Sequence, residues 1–184
     1  MVDLRLLVCG VFALLIILNV TILINTFPNG APLKHCEDLT PTGHIRKNKH
    51  NNGTDPQTST IPFKLESNDL GGSELKISLE GLNGEKFKGF IIKALNQNGE
   101  YFGRFKIGSG NGKIIKPLNC GGKNESALTH VSNDDKDKVE FIWIDEPTKE
   151  NNSSNEVFFH YTIVQKFPIF WVNKTEAFNK NHSY

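Results

Sequence analysis

Six histidines, His35, His44, His50, His130, His160 and His182, are the first candidates for chemistry in this chain. None follows an HExxH pattern or another metal-ligand spacing, and a metal site needs its ligands grouped in that way. For His44 and His130 a structural hydrogen bond is the expected role, and His160 falls in an alternating stretch that places it on a solvent-facing side. The acidic run DDKDK (Asp134 to Lys138) lacks the spaced D-x-D-x-D-G and terminal Glu of a calcium loop and reads as a charged turn. GSGNGK, from Gly108 to Lys113, has no following GK[ST] or helical pattern, so it reads as a hairpin connection rather than a phosphate loop. No nucleophile, base and orienting group converge by spacing. The expectation is a binding protein that is not an enzyme and carries no cofactor or metal.

The cysteines say more. The chain opens MVDLR, runs apolar from Leu6 to Ile24, and changes composition after the small residue Thr26. A basic residue, an apolar core and a small residue before a polar region form the secretory pattern, so residues 1–26 are read as a signal peptide. The run approaches the ~20 residues that span a bilayer. An uncleaved membrane anchor is therefore the rival reading, against which Asn19 and Thr21 count. Cleavage removes Cys9 and leaves Cys36 and Cys120 in an oxidising compartment, where two cysteines allow one disulfide. Export also suits six glycosylation sequons at Asn52, Asn124, Asn151, Asn152, Asn173 and Asn181.

Loss of the leader takes away Asp3 and Arg5 together, so the net charge stays at +1. That balance supplies no broad phosphate-binding surface, and the basic run HIRKNKH (His44 to His50) sits among Asn and Gly as a solvated loop. Nucleic acid is excluded as the expected partner.

The elements that must position these residues are strands. Residues 27–62 are punctuated by Pro28, Pro32, Pro41 and Pro56, which cannot serve a central ladder. They read as an irregular strap tied down through Cys36. In SELKISLE, Leu75, Ile77 and Leu79 alternate with polar residues, the two-residue period of a half-buried strand. FKGFIIKAL, with Phe90, Ile92 and Ala94 on one side, YFGRFKIG, VEFIWI and VFFHYTIVQ continue the pattern, and FPIFWV is a last apolar run. No segment keeps a helical period. A short, disulfide-linked chain of strands and turns argues an all-β, immunoglobulin-like antiparallel β-sandwich over residues 27–172, with a polar tail at 173–184. Tyr101, Phe102, Phe158 and Trp171 exceed the aromatics one core needs. Tyr101, with the cations Arg104 and Lys106, is the candidate ligand-binding patch, its rings stacking on sugars and its cations meeting lipid phosphates.

Read in order, FPNGAP, Cys36, TPTGH, QTSTIPFKL, GGSELKISLEG, FKGFIIKA, PLNC ending at Cys120, ALTHVS, FIW, HYTIVQ and Phe170-Trp171 resemble a reeler domain. The likeness is nearest to the small single-domain insect defence proteins. It implies a secreted immunoglobulin-like sandwich in humoral innate immunity, antibacterial, binding microbial surface polysaccharide or lipopolysaccharide and blood-cell surfaces. HIRKNKHNNGTDP departs from the pattern as extra length in the strap. An extracellular matrix or cell-surface protein-interaction module is the alternative, although the polar stretch ending at Tyr184 leaves no space for a further module. A relative of ferric-reductase-like membrane proteins is a third reading, but no apolar spans or haem-ligand histidine pairs follow residue 27.

Overall fold

The computed structural model describes residues 27–41, 55–108, 111–146 and 156–179. Cys9, His44, His50, His182, the leader, the basic run, and the sequons at Asn52, Asn151, Asn152 and Asn181 lie outside the described residues.

Among the described residues, ten strands form two antiparallel sheets. Strands β1 (Phe63–Gly71), β2 (Glu74–Gly81), β3 (Gly89–Leu95), β4 (Arg104–Lys106) and β5 (Ile115–Leu118) come first. Strands β6 (Ala127–His130), β7 (Lys138–Ile144), β8 (Glu156–Lys166), β9 (Ile169–Lys174) and β10 (Phe178–Asn179) follow. One sheet has the order β1-β2-β7-β4 and the other β10-β8-β3-β6-β5, with β9 also pairing β8. Residues adjacent in sequence alternate between faces, so parity selects the core. Leu75, Ile77 and Leu79 of β2 and Val139, Phe141 and Trp143 of β7 meet Phe90, Ile92 and Ala94 of β3 and Val157, Phe159, Tyr161 and Ile163 of β8. Their rings meet edge-on or tilted, as Trp143 against Phe159 at 6.0 Å and Phe105 against Phe141 at 5.6 Å.

Strands β1, β5, β6 and β10 were not among the strands expected from alternation, and each has a physical reason. Among the described residues strand β1 (FKLESNDLG) pairs only with β2, so most of its second half is exposed and carries no apolar period. Strand β5 holds Pro117, tolerated because an edge strand needs no donor on its free side. Strand β6 (ALTH) is short and buried on both faces. Val172 does not end the sandwich: β9 continues to Lys174, and β10 pairs with the start of β8 while Phe178 packs on Phe159 at 5.4 Å.

Every residue of β3 is buried, although only one of its faces looks into the core. The other face carries the strap. The disulfide Cys36–Cys120 joins residues 84 apart and ties the strap to the segment after β5. Side chains of the sheet then satisfy the strap's backbone groups, which have no ladder of their own. Lys93 Nζ donates to the carbonyls of Cys36 and Glu37 at 2.8 and 2.7 Å. Tyr101 and Thr162 donate their hydroxyls to Cys36 and Leu39, and Thr129 Oγ1 accepts the Ala31 amide. Lys116 donates to Asn29.

Candidate functional site

Two clefts flank the short 3₁₀ turn Leu33–His35 of the strap, with Leu33 lining one and His35 the other. The first has a volume of about 940 Å³, and its walls include Tyr101, Gly103, Arg104, Asn119, Glu125 and Glu146. Gly103 sits at φ +63°, and a Cβ there would come within 2.4 Å of both the Trp143 indole and the Ile144 carbonyl. Only glycine lets the cleft floor lie directly on the core tryptophan.

The expected ligand residues divide here. Tyr101 and Arg104 share the cleft; Lys106 does not line it and pairs instead with Glu74 at 3.5 Å. Arg104 bonds Glu146 through Nε and Glu125 through Nη1 at 3.2 Å. Those partners, Glu146 foremost, hold its pKa above the usual arginine value. Its charge is therefore already answered. Lys123 lines the same cleft and is likewise committed, donating to the Tyr101 carbonyl at 2.7 Å. The four charged residues of the lining, Arg104, Lys123, Glu125 and Glu146, sum to zero. Tyr101 is half-buried, its hydroxyl on Cys36 and its ring 5.6 Å from Lys93 Nζ; burial, then Glu37, raises its pKa. Of the other surplus aromatics, Phe102 and Trp171 are core residues and Phe158 is half-buried. Phe102 packs on Trp143 at 5.5 Å and Trp171 on Phe63 at 5.6 Å, so both belong to the core between the sheets and not to a stacking surface. Asn124 is exposed on the cleft lip, and Asn173 is exposed on β9.

DDKDK is more than a charged turn. Lys136 points inward, 6% exposed, and donates to the carbonyls of Lys88, Ser132 and Asp134 at 2.7–2.9 Å. Burial lowers its pKa, as it does for Lys93. Parity in GFIIKAL could have placed Lys93 on the strap face; nothing in DDKDK marks Lys136. Among the described residues no group of three or more His, Cys, Asp or Glu side chains is placed to hold a metal.

His130 has the structural role expected of it. Its Nδ1 accepts the Phe90 amide at 3.0 Å and its Nε2 donates to the Phe27 carbonyl at 3.1 Å, so the ring is neutral. Gly89 makes room for it, since a Cβ there would lie 2.8 Å from the imidazole. Burial pushes the His130 pKa below its ordinary 6.5, against the nearby carbonyls of Phe90 and Phe27. His160 is lowered too, by burial first and then by Lys93 and Lys174. The unfolded chain thus takes up these protons before the folded one. The associated stability is complete above about pH 6.5 and is lost as pH falls through the depressed folded values, by at most about 1.4 kcal/mol per group per pH unit. Urea midpoints at pH 7.5 and 5.0 should fall with acidification in the wild type and fall less in His130→Gln. Equal slopes in the two proteins would remove His130 from the account.

A disulfide-stapled antiparallel β-sandwich, strapped across one sheet and grooved on either side of the strap, is the class of protein this geometry defines. The chain belongs to the reeler domain family, whose profile matches residues 34–182. A protein of Antheraea mylitta named for a defence role is 27% identical over 153 residues, covering 82% of this chain and 83% of its own. Defense protein l(2)34Fc of Drosophila melanogaster is 28% identical over 155 residues, covering 82% and 86%. Ferric-chelate reductase 1 of Bos taurus is 28% identical over 168 residues, covering 88% of this chain and 25% of its own. The chain thus spans about a quarter of the length of the reductase relatives it matches. Among solved structures, the human F-spondin reeler domain superposes with a TM-score of 0.51 at 20% identity, covering 65% of this chain and 91% of that one. This shared fold accounts for the two-sheet architecture. Among the described residues no helix is long and apolar enough to cross a membrane.

Proposed function

We propose that this chain is a secreted defence protein that binds uncharged polysaccharide of microbial surfaces in the Tyr101 cleft, and performs no catalysis. The observation that carries the reading is the neutral, hydrogen-bonding Tyr101 cleft, on a domain shared with defence-named relatives that match over more than four-fifths of their own length. The cleft supports the ligand class. Sugar hydroxyls need paired donors and acceptors beside an aromatic ring, which Arg104, Asn119, Glu125, Glu146 and Tyr101 offer together. A phosphate would face an arginine already answered by two carboxylates, so lipid phosphate suits this cleft less than a neutral glycan.

The test is retention of the secreted protein on insoluble peptidoglycan and β-glucan, with lipopolysaccharide, blood-cell membranes and matrix protein as parallel arms. Glu146→Ala and Arg104→Ala should each weaken retention on polysaccharide roughly tenfold, the effect of losing a hydrogen bond to a charged group. Lys106→Glu, outside the cleft, should leave it unchanged. Retention on matrix protein alone would replace the defence reading with that of a matrix module, which the F-spondin fold also suits. Full retention by both cleft variants would move the contact elsewhere.

A further inference from the structure

The second cleft, between the strap and the sheet, has a use that the polysaccharide reading does not touch. Its volume is about 220 Å³, and its walls are mainly apolar: Phe27, Ala31, Leu39, Ile91 and Val164 are among them. It stays open for reasons of chain chemistry. Pro28 and Pro41 line it and have no amide with which to pair onto the sheet, and Ala31 presents only a methyl group. Gly30, at φ +100°, would set a Cβ 2.4 Å from the His130 carbonyl, so the strap cannot carry a larger side chain there.

The charged groups at this cleft are one-sided. Lys88 and Lys166 line it, and among the described residues no Asp or Glu does. Lys88 is engaged by Asp135 at 2.8 Å, while Lys166 is exposed and has no ion-pair partner among the described residues. Of the polar groups lining it, His130 is held between Phe27 and Phe90 and Thr162 on Leu39, while His35 and Asn133 complete the set. What remains is an apolar slot with an unanswered cation at its mouth.

We infer that the strap cleft binds a medium-chain alkyl carboxylate, its chain between strap and sheet and its head at Lys166. Volume sets the length. A 150 Å³ apolar cavity takes the six carbons of benzene, so about eight carbons suit this one. The basic segment 42–54, which follows Pro41, carries Arg46, Lys47 and Lys49 and has the wrong sign to answer Lys166.

Titration calorimetry of the secreted chain with octanoate tests this. Octanoate should saturate one site with a dissociation constant below about 1 mM, as befits a ligand of ten heavy atoms. Octylammonium, of equal length and opposite charge, should bind at least tenfold more weakly. Lys166→Glu, a surface change that leaves the packing alone, should weaken octanoate about fivefold. Val164→Phe should fill the slot and reduce binding at least tenfold. Absence of saturation by octanoate, equal binding of octylammonium, or an unchanged affinity in Lys166→Glu would each overturn the proposal. So would a concentration-dependent dimer that octanoate fails to dissociate, which would give the slot to a side chain of a second copy.

Discussion

Replacing Cys36 and Cys120 together by alanine should destabilise the domain by about 4–5 kcal/mol. The two residues are 84 apart, and on the chain-entropy model a cross-link of that span removes this much freedom from the unfolded state. For a domain of this size the loss corresponds to a fall in melting temperature of about 10–18 °C. The folded side of the equilibrium also feels the change. Lys93 and Tyr101 both donate to the Cys36 carbonyl, and Thr129, Thr162, Lys116 and His130 hold other points of the strap. These contacts are made by side chains to an irregular backbone, so each depends on the strap being delivered to its place. The double variant should therefore be cleaved within residues 27–41 by trypsin, at Lys34, under conditions that leave the sandwich intact. Its affinity for octanoate should fall as well, since one wall of that slot is the strap. Thermal melts of wild type and variant, with and without reductant, check the first part. A shift under about 4 °C, with reductant still destabilising the wild type further, would refute the entropic account.

How much of this is legible in the sequence depends on burial. Strands with one wet and one dry face announced themselves: Leu75, Ile77 and Leu79, or Val139, Phe141 and Trp143, alternate because water touches the residues between them. Where both faces are dry, or where one end is wet on both, the period vanishes. Strand β6 is buried throughout and β1 is exposed over much of its length, so neither carries a signal of period two. The strap was legible for the opposite reason, because its prolines exclude it from a ladder and its cysteine has one partner. Its consequences were not. A strap covering β3 turns Ile91 and Lys93 from solvent positions into buried ones and takes up the Tyr101 hydroxyl.

The ligand patch was half legible. Arg104 and Lys106 share parity on one strand, so sequence groups them as a basic pair. Strand pairing separates their partners: Arg104 reaches Glu125 and Glu146, Lys106 reaches Glu74, and the expected positive patch is neutralised residue by residue. Those carboxylates come from three different segments, and no local pattern in the chain links them. The same holds for the neutral cleft, whose walls are gathered from the strap, β4, β5 and the loops after β5 and β7.

Trp143→Ala should cost about 3–5 kcal/mol, the range for deleting a large aromatic from a packed core. The indole is fully buried, meets Phe102 and Phe159, and donates Nε1–H to the Phe102 carbonyl at 3.1 Å. Its removal leaves a cavity beneath Gly103, whose backbone forms the floor of the Tyr101 cleft. The effect should therefore reach the surface: retention on polysaccharide should drop although every side chain in the cleft is unchanged. Trp143→Phe separates the two contributions. It restores part of the volume but not the donor to Phe102, leaving a buried carbonyl without its partner, so stability should recover more than retention does. Urea denaturation gives the first quantity and the binding assay the second. If Trp143→Ala loses stability in that range while retention stays at the wild-type level, the cleft floor does not depend on the core beneath it, and the ligand must be held by the walls alone.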